Sequence, residues 1–168
     1  IPNEVQKELD RLNSELNRTK QVAMEAINKV NNLERELSAS ISKGDSLLFE
    51  HKKETALLRA SDSFHKGNNA LLTKKYKKAI SYYKKTIELR PNDAHAYNNM
   101  GNAYKEIGNF DRAIECYNSA ISLKPDFLNA HFNLGLVYQN LQDNKKAIES
   151  YENALQIKPD FHEAVGAI

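Results

Sequence analysis

The 168-residue sequence predicts an all-α chain: a long amphipathic helix, then three helix pairs and the start of a fourth. Three observations carry that prediction. Prolines recur at a spacing of 34 residues, at Pro91, Pro125 and Pro159. Residues 1–43 contain no glycine, no proline after Pro2, and apolar residues three and four apart. Only 6 glycines and 4 prolines interrupt a chain that is 40% hydrophobic and 27% charged, which suits long helices and excludes β-rich or collagen-like classes.

The N-terminal segment comes first. One heptad register places Leu9, Leu16, Ala23, Val30 and Leu37 at a, and Val5, Leu12, Ala26 and Leu33 at d, with Thr19 and Ser40 as polar exceptions. A 3,4 repeat sustained over 1–43 predicts a left-handed coiled-coil helix roughly 60 Å long at about 1.5 Å per residue. Leu9, Leu12, Leu16, Val30, Leu33 and Leu37 are its candidate oligomerisation residues. In a parallel pair each g residue faces the e residue five positions later on its partner. Glu15 then meets Lys20 and Lys29 meets Glu34, both attractive, while Val22 and Ile27 form an apolar contact that widens the seam. A homo-oligomer is expected. A parallel homodimer fits, and the small Ala23/Ala26 centre with its extra apolar width also admits trimers, tetramers or a hetero-partner helix. The bland alternative is one amphipathic helix packed on another part of a longer protein.

Gly44 and the Gly44-Asp45-Ser46 run within residues 38–46 are expected to break this helix and cap a new one. Residues 44–59, with Leu47, Leu48, Phe49, Leu57 and Leu58 as an apolar stripe, are then a linker or capping helix over the first repeat.

The repeats follow at 60–93, 94–127 and 128–161, with 162–168 starting a further helix. Five columns run in phase: the prolines; Ala79, Ala113 and Ala147; Gly67, Gly101 and Gly135; Tyr83, Tyr117 and Tyr151; and Ile87, Ile121 and Leu155. Proline lacks an N–H and its ring clashes with the preceding turn, so it ends each unit. Small Gly and Ala let two helices approach, and Tyr, Ile and Leu at helical spacing fill the space between them. Each unit is therefore helix A, a turn, and helix B.

These residues resemble the tetratricopeptide repeat family. The family's pattern reads Tyr97, Met100-Gly101, Tyr104, Gly108, Phe110, Ala113, Tyr117, Ala120 and Pro125 in the second unit. The first unit departs from it at Ser63, Lys66, Ala70 and Lys74, as suits a terminal repeat. The resemblance implies a right-handed α-solenoid of three helix pairs plus a truncated fourth helix A, whose A helices line a concave groove. It implies no catalytic residue and no cofactor, and a peptide or helix of a protein partner as the ligand.

The positions that the resemblance points into the groove are rich in asparagine: Asn68, then Asn98, Asn99 and Asn102, then Asn129, Asn133 and Asn140. An asparagine amide offers two donors and an acceptor, so it can pair with both N–H and C=O of an extended peptide. Asn99 and Asn133 match the asparagine ladder with which the similar repeats of O-linked N-acetylglucosamine transferase hold substrate peptides, and His65 breaks that ladder in the first unit. Phe64, Leu71, Phe132 and Leu136 add apolar surface for an anchoring side chain. The co-chaperone subgroup instead clamps a terminal carboxylate with Lys, Asn, Asn, Lys and Arg. Here those positions read Phe64, Asn68, Asn99, Asn129 and Asn133, so all three cations are missing and the charge-assisted bonds with them.

Other chemistry finds little support. The lone Cys116 excludes an intramolecular disulfide and a cysteine-based zinc cluster, fits a reducing, cytoplasmic setting, and reads as a small packed thiol. His51, His65, His95, His131 and His162 show no metal-ligand spacing, and no phosphate-binding glycine loop is present. No membrane is expected as a partner, since no apolar run reaches 18 residues. The start at Ile1-Pro2 and the stop within a repeat are as expected of a piece of a longer protein. Charge is uneven: −1 over 1–49, +6 over 50–93 and −3 over 94–168, from 7 and 8, 11 and 5, and 6 and 9 basic and acidic residues. Lys74, Lys75, Lys77, Lys78, Lys84 and Lys85 make the middle basic. A solvated face or an acidic partner accounts for them better than nucleic acid, whose single-strand sites want stacking aromatics and here Tyr76, Tyr82 and Tyr83 are needed for packing. Three functions remain in view: an oligomeric binding scaffold, a structural self-assembly component, or the substrate-recruiting part of a larger enzyme.

Overall fold

A computed structural model describes residues 3–167; Ile1, Pro2 and Ile168 lie outside the described residues, and with them the outermost positions of the 1–43 and 162–168 segments. Seven helices follow among the described residues: α1 Asn3–Leu72, α2 Tyr76–Leu89, α3 Ala94–Glu106, α4 Phe110–Leu123, α5 Leu128–Asn140, α6 Asn144–Ile157 and α7 His162–Val165. The chain divides into two units, residues up to Lys52 and residues from Lys53 on.

The first unit is helix alone. Its described side chains are all exposed, the heptad positions included: Leu9 and Leu16 at 51%, Leu12 at 54%, Val30 at 53%, Leu37 at 61% and Leu33 at 64%. The expected break at residues 38–46 does not occur, since α1 runs through them. One glycine costs a helix only about 1 kcal/mol against alanine, too little to end a run of good helix formers. Ser38 does not compete with the backbone either, because its hydroxyl donates to the Glu34 carbonyl at 2.8 Å. Residues 44–59 are thus no separate capping helix. Within the second unit Leu57 and Leu58 stay 49% and 65% exposed, so they do not cover the first repeat.

In the second unit the end of α1 is helix A of the first repeat and α2 is its helix B; α3/α4 and α5/α6 are the next two pairs, and α7 starts a fourth helix A. From α2 on, consecutive helices pack on one another; Tyr83 of α2 packs on Gly67 of α1, Asn99 of α3 bonds to Asn68 of α1, and α3 touches α5, so successive A helices are neighbours in an all-α solenoid. Each pair closes on one contact. Tyr83, Tyr117 and Tyr151, fully buried, pack against Gly67, Gly101 and Gly135. A Cβ on those glycines would sit 2.6, 2.7 and 2.4 Å from the nearest ring carbon, which is why the column must be glycine. The alanines Ala79 and Ala113 are fully buried and Ala147 nearly so.

Local chemistry sets the boundaries. Arg90, Lys124 and Lys158, each before a proline, take φ of −135°, −140° and −138° with ψ of 79–96°, as the proline ring demands of its neighbour, and the B helices stop there. Asp93, Asn109 and Asp143 cap α3, α4 and α6 by accepting from the N–H of Ala96, Arg112 and Lys146 at 3.0, 3.2 and 3.2 Å. The three A helices end in one shared turn. Its left-handed residue is Lys74 (φ 56°), Gly108 (φ 77°) or Gln142 (φ 60°), and the next residue's N–H reaches back to the carbonyl of Ala70, Tyr104 or Tyr138 at 2.8–2.9 Å.

Candidate peptide-binding groove

The A helices hold the candidate residues, and the neighbouring turns of these helices bring four asparagines into one chain of hydrogen bonds. Asn133 Nδ2 donates to Asn98 Oδ1 at 3.2 Å, Asn98 Nδ2 to Asn99 Oδ1 at 3.1 Å, and Asn99 Nδ2 to Asn68 Oδ1 at 3.0 Å. Asn68 Oδ1 also accepts from the Tyr83 hydroxyl at 2.8 Å. The row therefore crosses all three repeats, and each of its two links between helices runs from the later repeat's Nδ2 to the earlier repeat's Oδ1. Asn98 is only 4% exposed and both its oxygen and its nitrogen are engaged; Asn68, Asn99 and Asn133 are half-buried.

That arrangement fixes what faces outward. Asn133 Oδ1 and Asn68 Nδ2 have no protein partner among the described residues, and Asn99 Nδ2 uses one of its two hydrogens. An acceptor and several donors are left along the row, the complement of a peptide backbone.

The other asparagines behave differently. Asn102 accepts from the Tyr117 hydroxyl at 2.7 Å, Asn140 donates to the Leu136 carbonyl at 2.8 Å, and Asn129 is exposed without a side-chain hydrogen bond among the described residues. The apolar candidates are half-buried and already in contact with the core. Phe64 meets Tyr83 edge-on at 6.0 Å between ring centres, and Phe132 meets Tyr151 at 5.6 Å and Phe161 at 5.1 Å. Leu136 packs on the cluster of Ala147, Tyr151 and Ala164, and Leu71 on that of Ala79 and Tyr83.

The tyrosine hydroxyls are the functional neighbours that a reading of the groove positions misses. The signal lies in the sequence: in the first two repeats an asparagine precedes the packed tyrosine by 15 residues, Asn68–Tyr83 and Asn102–Tyr117. The third repeat has Leu136 there, and the Tyr151 hydroxyl donates instead to Gln139 Oε1 at 3.1 Å. Burial pushes the Tyr83 phenol up to about 12, opposed by the Asn99 amide beside it, and pushes Tyr117 up further, so both stay protonated donors.

Away from this face, Cys116 is buried and its thiol is pushed up to about 12 by that burial and by the Glu115 carboxylate. Lys74, Lys75, Lys77, Lys78, Lys84 and Lys85 are exposed and form no ion pair among the described residues. No helix of the described residues is long and apolar enough to cross a membrane.

Comparison with known proteins agrees with the repeat frame. Profiles described as tetratricopeptide repeat match residues 63–93, 82–115 and 128–161, and one described as TPR repeat matches 101–142. Among solved structures, the Arabidopsis OM64 TPR domain is 25% identical, with a TM-score of 0.65 over 67% of this chain and 93% of its own. The first TPR of Spaghetti (RPAP3), bound to the HSP90 peptide SRMEEVD, is 27% identical, with a TM-score of 0.63 over 66% of this chain and 87% of its own. MamA is 32% identical, with a TM-score of 0.63 over 65% of this chain and 64% of its own. With the buried Tyr–Gly contacts, the shared turns and these matches, residues 63–161 are tetratricopeptide repeats.

Proposed function

We propose that the repeats bind an extended peptide of a protein partner along their A-helix face, and that the N-terminal part of α1 joins chains into an oligomeric scaffold. The observation that carries the first half is the amide row Asn133–Asn98–Asn99–Asn68, in which Asn98 is buried and the other three are half-buried with unpartnered donors and an acceptor. The free atoms of the row are open to water, so a peptide backbone would take water's place on a partly desolvated array of donors and an acceptor that the helices already hold in position. Asn99 and Asn133 are the direct readers, and Asn98 holds both in place. Phe64, Phe132 and Leu136 flank them as half-buried apolar surface for one or two side chains, with Asn102 and Asn129 as further polar contacts. The likeness of Asn99 and Asn133 to the ladder of O-linked N-acetylglucosamine transferase supports this mode, as does peptide binding by the RPAP3 relative.

The peptide is held by its backbone and not by a terminal carboxylate. Of the five clamp positions only Asn68 and Asn99 match, and Phe64, Asn129 and Asn133 bring no cation. Binding is the whole of the activity; no chemistry is assigned to the repeats. In an oligomer the grooves are multiplied, which raises avidity for a partner carrying several copies of the segment.

Selection of a random-peptide library on the wild-type chain, with the Asn99→Ala/Asn133→Ala variant as the counter-target, tests the groove. Peptides that bind the first at least tenfold better than the second are expected. Recovery of peptides that bind both equally would remove the amide row from the site.

A further inference from the structure

The exposed heptad face of α1 has a readable occupant. Of its six flanking charges, Lys20, Lys29, Glu34 and Glu36 form no ion pair among the described residues; Glu8 and Glu15 meet Arg11 at 3.9 and 3.4 Å on an exposed surface. The seam between them is apolar, and its exposed members Val5, Leu9, Leu12, Leu16, Val30, Leu33 and Leu37 are 51–64% accessible. Its one polar interruption before Ser40 is Thr19, and there the hydroxyl donates to the Glu15 carbonyl at 2.9 Å. The side chain is thus already satisfied and can turn its methyl to a partner without stranding a donor.

From this face we infer that residues 5–37 pair with a second copy of this chain, parallel and in register. The inference rests on the oligomer proposed above and adds its partner, direction and alignment. In that arrangement every facing g–e pair is attractive or neutral: Glu8 with Asn13, Glu15 with Lys20, Val22 with Ile27, and Lys29 with Glu34. The two-fold axis repeats each, so four ion pairs and two apolar contacts flank one seam. An antiparallel pair faces g with g, which sets Glu8 against Glu36 where it joins Glu15 to Lys29, and leaves Lys20 and Glu34 at e without an opposite charge. Val22 at 66% and Ile27 at 58% exposure, apolar residues outside the a and d positions, face each other when g meets e across the same heptad step.

A charge-swap pair tests direction and alignment together. Chain one carries Glu15→Lys and Lys29→Glu; chain two carries Lys20→Glu and Glu34→Lys. Each alone turns all four ion pairs of its homodimer into repulsions, and the mixture restores all four. Sedimentation equilibrium of the full chains, with circular dichroism to confirm that helix content is kept, reads the result. The wild type is expected at twice the chain mass. Each swapped chain alone should dimerise about tenfold or more weakly, and the mixture should recover wild-type affinity as a heterodimer. A monomeric wild type overturns the oligomer itself. A wild-type dimer whose swapped chains neither weaken nor recover leaves the oligomer standing and overturns the parallel in-register pairing, and a trimeric or tetrameric mass overturns the two-chain seam.

Discussion

Replacing Lys74 and Gln142 by glycine should stabilise the repeats, although it deletes two side chains. All three A helices end in the same turn, with N–H groups reaching back to Ala70, Tyr104 and Tyr138, and the geometry demands a left-handed residue at its centre. Only the second repeat supplies a glycine there, Gly108 at φ 77°. Lys74 and Gln142 adopt φ of 56° and 60° against the steric cost of a Cβ, about 1–2 kcal/mol each. Glycine relieves that cost but loses more freedom on folding, which takes back roughly 0.5–1 kcal/mol. Taking the middle of each range, the net gain is about 0.75 kcal/mol per site. Neither side chain makes a hydrogen bond or ion pair among the described residues, and the two turns share no partner, so the gains add to about 1–2 kcal/mol. Urea unfolding followed by far-UV circular dichroism should show this as a higher midpoint at unchanged slope, and thermal unfolding as a rise of about 5–10 °C. Gly108→Ala is the converse control. Open space surrounds its Cβ, so any loss comes from the backbone alone. Equal or lower stability of the Lys74→Gly/Gln142→Gly variant would refute the assignment of strain to these turns.

Further outcomes follow from the same contacts. Gly101→Ala places a Cβ 2.7 Å from the Tyr117 ring, and the overpacking should cost about 1–3 kcal/mol in urea unfolding, with Gly44→Ala, in open space, stabilising or neutral. Tyr117→Phe removes the hydroxyl bond to Asn102 and should cost about 1 kcal/mol at unchanged helix content. The Cys116 thiol, raised to about 12 by burial, should resist a thiol reagent in the folded protein and react at once in denaturant; rapid labelling of the native chain would contradict its burial. Because Cys116 and Tyr83 both have folded values above their ordinary ones, their contribution to stability is complete at neutral pH. It is lost as pH rises from about 9 through about 12, and alkaline unfolding curves should show that decline.

Most of the repeat frame is legible in the sequence because its rules are steric. A proline at 34-residue intervals ends each B helix, and the Gly/Tyr columns fall where rings must pack on bare backbone, so the helix pairs recur with the period of the sequence. The long helix is less legible. Gly44 and its neighbours resemble a stop signal, but a single glycine is a weak local penalty set against 70 residues of helix, and α1 continues through it. The turn at Gln142 is hidden because nothing in a glutamine announces a positive φ; only its place in the repeat does. The groove lies between these cases. Its asparagines can be counted from the sequence, yet which of them join depends on helix-to-helix distances: Asn98 turns inward to link Asn133 and Asn99, while Asn102 is taken by Tyr117.

The central claim is that the half-buried amide row reads a peptide backbone. Calorimetric titration of a library-selected peptide against its analogues N-methylated one amide at a time tests it most directly. Methylation removes a backbone donor and leaves the side chain in place, so one or two central positions should each lose about tenfold or more in affinity, in line with an unpaired buried amide. Asn99→Ala/Asn133→Ala should erase that difference. Equal affinity of every methylated analogue for the wild-type chain would contradict the claim.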